Sequence, residues 1–336
     1  MIFLKNIIAR LVLAGAGVMA LLLWVSNSSA QTSPTNATYP TKPLRIIVGQ
    51  TAGGISDLIA RMVAQRLTEA FKQPAVVENR AGAAGSIGTD MVVKAAPDGY
   101  TLLLSSAGPI VINPGLYAKL SYDPQRDLTP IAFIASSPLV LVTHPSVPAK
   151  SVKALIALAK VHPHKLSYGS GGNGSPPHLT AELFSAMAGV TLTHVPFKGS
   201  APSVLALVGG QVDLSFSTVA VTLPQMRAGR INALAVTSAQ RARILPDLPT
   251  MAEAGMPGFE SQQWFGLFGP AALPRDIISK LHSEVSRMIE NPDVRARLAN
   301  DGAEPGKLTL DQFTALIRSD AARWAKVIKV SGATAE

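Results

Sequence analysis

The chain alternates between short apolar runs and longer segments in which apolar residues recur at helical spacing. The β-branched run 44–48 predicts a buried strand. Gly53 and Gly54 then form a turn, and the periodic segment 58–71 predicts a helix. Ser56 or Asp57 would cap this helix by accepting its free N–H groups. This stretch therefore predicts a strand, a glycine turn and a helix in direct succession.

The same order of elements recurs along most of the chain. Further strands are predicted at 75–78, 100–104, 138–142, 166–169, 192–195, 212–217, 231–237 and 264–269. Further helices are predicted at 87–95, 152–161, 178–188, 202–207, 251–254, 276–289, 294–300 and 310–330, with Ser151, Asp276, Asp293 and Thr309 as N-caps. Strands that alternate with helices predict an α/β fold built on mainly parallel sheets.

Two stretches with this order predict two similar α/β lobes. Segments 138–142 and 264–269 would cross between them. We therefore expect residues 40–140 and 265–336 to form lobe 1, and residues 141–264 to form lobe 2. A cleft between two such lobes is a common position for a ligand.

The first 30 residues have the pattern of a signal peptide. Lys5 and Arg10 precede a short apolar core, and small residues up to Ala30 suit a cleavage site. An uncleaved anchor helix is the alternative, but a membrane span needs about 20 apolar residues. We expect export to the periplasm, cleavage after Ala30 and a flexible tether over residues 31–39.

Composition narrows the function classes. The 336 residues carry a net charge of +9, and removing Lys5 and Arg10 with the leader leaves +7. These charges are scattered, and aromatic residues make up only 5%, which argues against a nucleic-acid platform. The absence of cysteine excludes disulfides, thiol nucleophiles and cysteine metal sites. The net positive charge therefore indicates only a mild preference for anionic ligands.

The turns after the predicted strands are rich in glycine and serine. Carboxyl ends of parallel strands share one edge of a sheet, so the turns after residues 48, 78 and 104 would meet. A helix N-terminus at such a turn offers free N–H groups to an anion. The stretch 44–57 is neither a Walker loop nor a Gly-x-Gly-x-x-Gly motif, and an ordinary strand-to-helix turn explains it equally well.

Seven motifs in order point to one family. They are Gly53-Gly54-x-Ser56-Asp57 with Arg61; Val77-Glu78-Asn79-Arg80-x-Gly82-Ala83-x-Gly85; Ala96-Pro97-Asp98-Gly99-Tyr100-Thr101-Leu102; Ser167-Tyr168-Gly169-Ser170-Gly171 through Gly174-Ser175 to His178-Leu179; His194-Val195-Pro196-Phe197-Lys198-Gly199; Gly209-Gly210-Gln211-Val212-Asp213; and Leu245-Pro246-Asp247-Leu248-Pro249-Thr250-Met251-Ala252-Glu253-Ala254-Gly255. From Tyr39 to about Gly332 the chain resembles the substrate-binding receptors of tripartite tricarboxylate transporters, the Bug or TctC type.

The resemblance implies a fold and a function. The fold is the two-lobe periplasmic binding protein, or Venus flytrap, with mainly parallel sheets and a ligand cleft between the lobes. The function is capture of a small carboxylate solute for a membrane permease. In this family backbone N–H groups, small hydroxyls and water hold the carboxylate without a fixed arginine clamp. We therefore expect a monomer with no enzymatic activity, no cofactor, no metal and no nucleic-acid partner.

Two positions depart from the family pattern. Gly49-Gln50 stands where the family usually has proline followed by an aromatic residue, and Phe197 stands where tyrosine is common. The first change replaces an aromatic ring by an amide with two donors and an acceptor. We hypothesise that the ligand lies outside the most usual set of the family.

The predicted ligand-binding residues come from turns of both lobes, with no catalytic or metal-binding residue among them. They are Gln50, Thr51, Ala52, Gly53, Gly54, Ser56, Asp57, Ser105, Ser106, Ala107, Ser170, Gly171, Asn173, Gly174, Ser175, His178, Phe197, Lys198, Gly199, Asp213, Ser217 and Thr218.

Several of these residues have a structural alternative. Asp57 would cap a helix or contact the ligand. Asp213 would position a loop or touch the solute, and Lys198 would pair with an anion or lie at the rim. His178 and Glu182 share a helix face, but no third metal ligand stands at suitable spacing. A triad of Ser175, His178 and Asp213 lacks the nucleophile elbow.

Two other functions compete with the transport receptor. A solute sensor that hands its closed form to a membrane signalling protein would use the same binding chemistry. An exported α/β hydrolase would turn over its bound compound, which a receptor releases unchanged.

Overall fold

The computed structural model describes residues 39–306 and 308–335, and the elements below lie in the unit Lys42–Glu336. The strands are β1 (Leu44–Val48), β2 (Ala75–Asn79), β3 (Thr101–Ser106), β4 (Leu128–Thr143), β5 (Ser167–Ser170), β6 (Thr193–Pro196), β7 (Leu214–Thr218), β8 (Asn232–Val236), β9 (Gln262–Pro270) and β10 (Glu304–Pro305). Among the described residues, none of the helices has the length and apolar character of a membrane span. The predicted signal peptide and nearly all of the tether lie outside the described residues.

The helices follow the strands in the predicted alternation. They are α1 (Ile55–Phe71), α2 (Ser86–Val93), α3 (Asn113–Leu116), α4 (Pro124–Asp127), α5 (Val152–Val161), α6 (Pro176–Ala188), α7 (Ser200–Val208), α8 (Val219–Arg227), α9 (Arg275–Glu290), α10 (Pro292–Asn300) and α11 (Leu310–Ser331). The predicted α/β class is confirmed. Helix α5 has the predicted bounds, with the Ser151 side chain accepting from Ala154 N–H, and Thr309 caps α11.

Three local predictions are wrong. Segment 251–254 is a turn, in which Thr250 and Glu253 exchange backbone-to-side-chain hydrogen bonds. Helices α9 and α10 each begin one residue before Asp276 and Asp293, so these residues are not the predicted N-caps. Their carboxylates lie in the first turn, near the positive end of each helix dipole. Helix α1 starts earlier than predicted, and Gly54 occupies its N-cap position in place of Ser56 or Asp57.

Strand β4 belongs to two halves of one curled sheet. Its residues 128–138 pair with β9, which pairs with β3, and β1 and β2 continue in the order β3-β1-β2. We call these strands with β10 the first half-sheet. Residues 139–143 of β4 pair with β7 and β8, and β5 and β6 continue beyond β7. These form the second half-sheet, so β4 is the predicted crossing strand, longer than expected.

The second predicted crossing is wrong in detail. Strand β9 pairs with β4 over its whole length and with β3 over residues 265–268, so it lies within the first half-sheet. The chain passes from the second half-sheet back to the first just before β9. At that point Ser261 N–H donates to the Thr237 carbonyl beside the second half-sheet.

The strand directions make the two halves face each other. Strands β1, β2 and β3 are parallel to one another and run in the same sense as β4, because β9 is antiparallel to both β3 and β4. Strands β5, β6 and β7 are parallel to one another and run against β4. The carboxyl ends of both sets therefore point toward the place where β4 passes from one half to the other.

The register gives the separation of the facing strand ends. Ser106 at the end of β3 is level with Phe265 of β9, and Phe265 with Ala135 of β4. Thr218 at the end of β7 pairs with Leu139. Four residues of β4 span about 13 Å at the usual rise of a strand. The facing strand ends therefore lie on either side of residues 135–139 of β4, with a gap between the two sets of loops.

Candidate functional site

The first loop at the gap, residues 50–54, leaves β1 and enters α1. Thr51, Ala52, Gly53 and Gly54 are exposed. The loop passes close to the turn that follows β2, since a Cβ on Gly49 would lie 2.6 Å from the Gly85 carbonyl oxygen. Glycine at position 49 therefore allows two neighbouring turns at this sheet edge to pack backbone to backbone.

Asp57 holds this loop from inside the first turn of α1. Its Oδ2 accepts from Gly53 N–H at 3.0 Å, and Arg61 donates to both carboxylate oxygens at 3.0 and 3.1 Å. Burial raises the pKa of Asp57, but the hydrogen bonds from Arg61 and Gly53 outweigh it, so the pKa lies below its usual range. This geometry favours the structural role over direct ligand contact.

Gln50 and Ser106 meet at the carboxyl edge of the first half-sheet. The Gln50 Nε2 atom lies 3.5 Å from Ser106 Oγ, and Asn79 Nδ2 donates to the Gln50 carbonyl at 3.2 Å. Gln50 Oε1 is buried and has no hydrogen-bond partner. Ser105, Ser106 and Ala107 are buried. The polar side chain that departs from the family pattern thus lies between turns that follow three strands.

The second loop, residues 170–175, leaves β5 and enters α6. The Ser170 hydroxyl accepts from Gly172 N–H at 3.1 Å, and the Ser175 hydroxyl donates to the Gly172 carbonyl at 2.7 Å. Ser175 is also the N-cap of α6, since its oxygen accepts from His178 N–H at 3.4 Å. The loop is thus folded onto its own backbone, with Asn173 exposed at its tip.

Three stacked rings support this loop. His178 and His194 stack with centroids 4.1 Å apart at 8°, and Tyr168 stacks on His194 at 4.8 Å. Gly174 N–H donates to His178 Nδ1 at 2.9 Å, and His194 Nε2 lies 2.6 Å from Ser170 Oγ. His178 thus supports one end of the loop, and His194 supports the other end.

Both imidazoles are held in the neutral form. Burial and the neighbouring His194 lower the pKa of His178 to about 4. Burial also lowers the pKa of His194. Beneath them the Tyr168 hydroxyl donates to Glu182 at 2.5 Å, and burial together with this contact raises the pKa of Tyr168. The rings therefore form an uncharged layer under the loop.

The remaining predicted residues at the cleft edge of the second half-sheet lie either in the turn 197–199 or at the end of β7. Phe197 N–H donates to the Ser170 carbonyl at 3.1 Å, so the turn 197–199 packs beside the loop, with Lys198 exposed. Gly199 and Thr218 are the N-cap residues of α7 and α8. Ser217 is buried and shares a hydrogen bond with Ser215 at 2.9 Å.

Asp213 lies away from these loops. It precedes β7 and so stands at the opposite edge of the second half-sheet, where its carboxylate accepts from the backbone and hydroxyl of Ser167 at 2.7 and 2.9 Å. These contacts fit the loop-positioning alternative for Asp213, which lies at the end of β7 opposite Thr218. For the same reason Ser175, His178 and Asp213 do not form a triad.

Helix N-termini at the gap are left open, whereas several elsewhere are closed. Helices α1, α7 and α8 begin at Gly54, Gly199 and Thr218 without a capping side chain. Away from the gap, Ser151, Asn291 and Thr309 close α5, α10 and α11. Two helices break the contrast, since α6 at the gap is capped by Ser175 and α9 elsewhere is not capped. Free N–H groups at three converging helix starts form an anion-binding surface.

The two halves touch on either side of the gap. A Cβ on Gly174 would lie 2.5 Å from Leu116 Cδ1, so the second loop rests on α3 of the opposite half. On the other side a Cβ on Gly302 would lie 2.7 Å from Val219 Cβ, at the start of α8. The loops predicted from each lobe are therefore brought to one cleft.

The profile of the family described as "Tripartite tricarboxylate transporter family receptor" matches residues 59–333. The chain belongs to this family. Protein BugT of Bordetella pertussis is 38% identical over 303 residues, which cover 90% of this chain and 93% of BugT. The predicted resemblance is confirmed, and this family is one of solute-binding receptors.

Solved structures of family members share the fold. One, titled "R. palustris Rpa4515 with adipate", is 38% identical with a TM-score of 0.76 and covers 88% of this chain and 99% of its own. MatC of Rhodopseudomonas palustris with bound malate is 32% identical with a TM-score of 0.73, over 86% and 100% of the two chains. The predicted two-lobe fold of periplasmic binding proteins is confirmed.

Two residues of the site were missed from the sequence. His194 was part of a family motif but received no role, although the pairing of β5 with β6 sets it directly opposite Tyr168. Leu116 follows the third strand in a stretch without a helical or strand pattern. Only the contact with Gly174 reveals its place at the cleft.

Proposed function

We propose that the protein is a periplasmic receptor without enzymatic activity that binds a small carboxylate between its two half-sheets. It then delivers the solute to the permease of a tripartite tricarboxylate transporter. The observation that carries this proposal is the convergence of the open helix starts of α1, α7 and α8 on one cleft. Such N–H groups bind an anion without a cationic side chain.

The charged side chains around the loops fit the same reading. Arg61 is engaged by the Asp57 carboxylate and is not free to clamp a ligand. Backbone N–H groups, the small hydroxyls of Thr51 and Thr218 and the exposed ammonium group of Lys198 then remain as donors. The relatives with bound adipate and malate support a dicarboxylate as the class of solute.

Closure is the mechanism that the fold supports. We propose that residues 40–140 and 265–336 move as lobe 1 against residues 141–264 as lobe 2. The change of partners of β4 between Pro138 and Leu139 supports this division. A ligand that contacts both lobes stabilises the closed form by its differential affinity for that form.

Thermal unfolding of the exported protein tests the proposal. Adipate, malate and other mono-, di- and tricarboxylates are compared with adipamide, the uncharged analogue of adipate. A bound carboxylate at 100 times its dissociation constant should raise the free energy of unfolding by about 2.7 kcal/mol. We expect a shift with one class of carboxylate and none with adipamide. Shifts only with neutral or cationic compounds would contradict anion binding.

Two further measurements separate the receptor from its competitors. Mass spectrometry of the released ligand should recover the compound unchanged, whereas a hydrolase would release a product. Co-purification in cross-linked membranes should yield a permease of the tripartite type. Recovery of a membrane signalling protein instead would favour the sensor.

A further inference from the structure

The loop 170–175 depends on side chains that lie outside it. Its two ends are attached to two different rings, since Gly174 N–H donates to His178 Nδ1 and Ser170 Oγ lies 2.6 Å from His194 Nε2. The rings come from helix α6 and strand β6 and stack face to face at 4.1 Å. A displacement of either ring is therefore transmitted to the loop.

The same loop also meets the opposite half of the protein. Gly174 packs on Leu116 of α3, at a φ of +71° that favours glycine. The residue that donates to His178 is thus the one that contacts the other half-sheet. The hydrogen bond fixes both the loop that precedes α6 and this contact between the halves.

We propose that His178 and His194 are positioning residues that hold the solute-binding loop 170–175 in its binding geometry, and that they do so only as neutral imidazoles. This rests on the proposed function of the cleft. An imidazolium has no lone pair, so a proton on His178 Nδ1 would remove the acceptor of Gly174 N–H. Two charged rings stacked at 4.1 Å would also repel each other.

Two groups face the pair, and burial opposes the charge that one of them would favour. Tyr168 of β5 stacks on His194 and donates its hydroxyl to Glu182. Glu182, on the same helix as His178, lies 4.0 Å from His178 Nε2, and its carboxylate favours an imidazolium. Burial of both rings acts in the opposite direction and lowers both pKa values, so the neutral form is favoured.

The test uses pairs of variants that differ in the retained acceptor. His178→Asn keeps an oxygen near the position of Nδ1, and His178→Leu removes it. His194→Gln and His194→Leu form the corresponding pair for Nε2. His162→Leu, at an exposed histidine of the same half, is the control. Affinity for adipate, or for the carboxylate that stabilises wild type most, is measured from about pH 8 to about pH 3.5, a range that extends from ordinary histidine titration to below the pKa of about 4 of His178. The amide signal of Gly174 is followed by NMR without ligand.

Each outcome decides for or against positioning. We expect the leucine variants to lose about tenfold in affinity, the equivalent of one hydrogen bond. The Asn and Gln variants should stay within about threefold because they keep a hydrogen-bonding atom near the original nitrogen, and His162→Leu should do so as a surface substitution. The affinity of wild type should fall toward acid while the Gly174 amide shifts with the His178 titration, and His178→Asn should lack both changes.

Unchanged affinity in His178→Leu, or a Gly174 amide that ignores the His178 titration, would overturn the proposal. If His178→Leu fails to fold, the amide titration of wild type against His178→Asn still decides it. If no carboxylate binds wild type, the function proposal fails, while the ligand-free amide titration continues to test the positioning.

Discussion

The two glycine-rich loops of the cleft are fixed by the same geometry but by opposite chemistry. In each, a glycine N–H donates to a side chain four residues later, in the first turn of the following helix. Gly53 donates to Asp57 at 3.0 Å, and Gly174 donates to His178 at 2.9 Å. The first acceptor is a carboxylate paired with Arg61, and the second is a neutral imidazole stacked on His194.

The comparison shows two ways to order a turn beside an anion site. The Asp57 carboxylate is compensated within its own helix by Arg61, so its support is local. The His178 ring brings no charge, but its neutrality depends on burial against β5 and β6. The conformation of the first loop is therefore maintained by an ion pair within one helix, and that of the second loop by packing against β5 and β6.

Loss of the carboxylate should cause the largest effect. Asp57→Ala leaves Gly53 N–H and Arg61 without this acceptor, and we expect the free energy of unfolding to fall by about 2 to 3 kcal/mol. Glu69→Ala, at an exposed acid on the same helix, is the matched control and should change it by less than about 0.5 kcal/mol. Urea unfolding measures both. Equal losses would show that Asp57 does not fix the first loop.

The pH dependence of stability should separate the two loops. The pKa of His178 is about 4 in the folded protein and about 6.5 when unfolded, so the unfolded chain binds more protons between these values. The contribution is fully present above about pH 6.5, and about 2 kcal/mol should be lost at about pH 5. Asp57, with a lowered pKa, contributes above about pH 3.9 and loses this contribution only in stronger acid.

Unfolding of wild type and His178→Asn from about pH 7.5 to about pH 4.5 measures this effect within the histidine window. The difference between the two proteins should shrink as the pH falls. A difference that stays constant would mean that the pKa of His178 is the same in the folded and the unfolded protein.

Alanine at the two donor glycines should show the smallest contrast. Gly53 has a φ of +85° and open space around its Cβ position, so Gly53→Ala should cost only about 1 kcal/mol of backbone strain. Gly174→Ala adds a clash with Leu116, and we expect about 2 kcal/mol. Thermal unfolding compares them. A larger loss at Gly53 would mean that the contact between the halves at Leu116 is not maintained in solution.

The sequence predicted most of the longer helices because the signals for their starts and ends are local. Ser151 before a periodic apolar segment sets the bounds of α5, and Thr309 sets the start of α11. The turn at 251–254 was wrongly predicted as a helix, because the four residues Met251-Ala252-Glu253-Ala254 are too few to show a reliable helical period. The first part of β4 was missed, since its pairing with β9 depends on a distant segment.

The residues of the candidate site were also predicted only where their signals are local. The glycine and serine turns could be identified because they follow strands of a parallel sheet, whose carboxyl ends share an edge. Asp213 was included among the ligand residues from its motif, although it stands at the amino end of the predicted strand 212–217 and not at the carboxyl end where ligands lie. The structure places Asp213 directly before β7, at the edge away from the cleft, where its carboxylate accepts hydrogen bonds from Ser167.

By itself the sequence determined the α/β class, the family and the loops that carry the helix starts, because strand, turn and capping preferences act between residues close in the chain. Tertiary structure alone decided that β4 crosses between the halves and that the loops face each other. It also brought His178, His194 and Tyr168 into one stack. These three rings come from a helix and two strands, and no pattern within one segment encodes a distance between different segments.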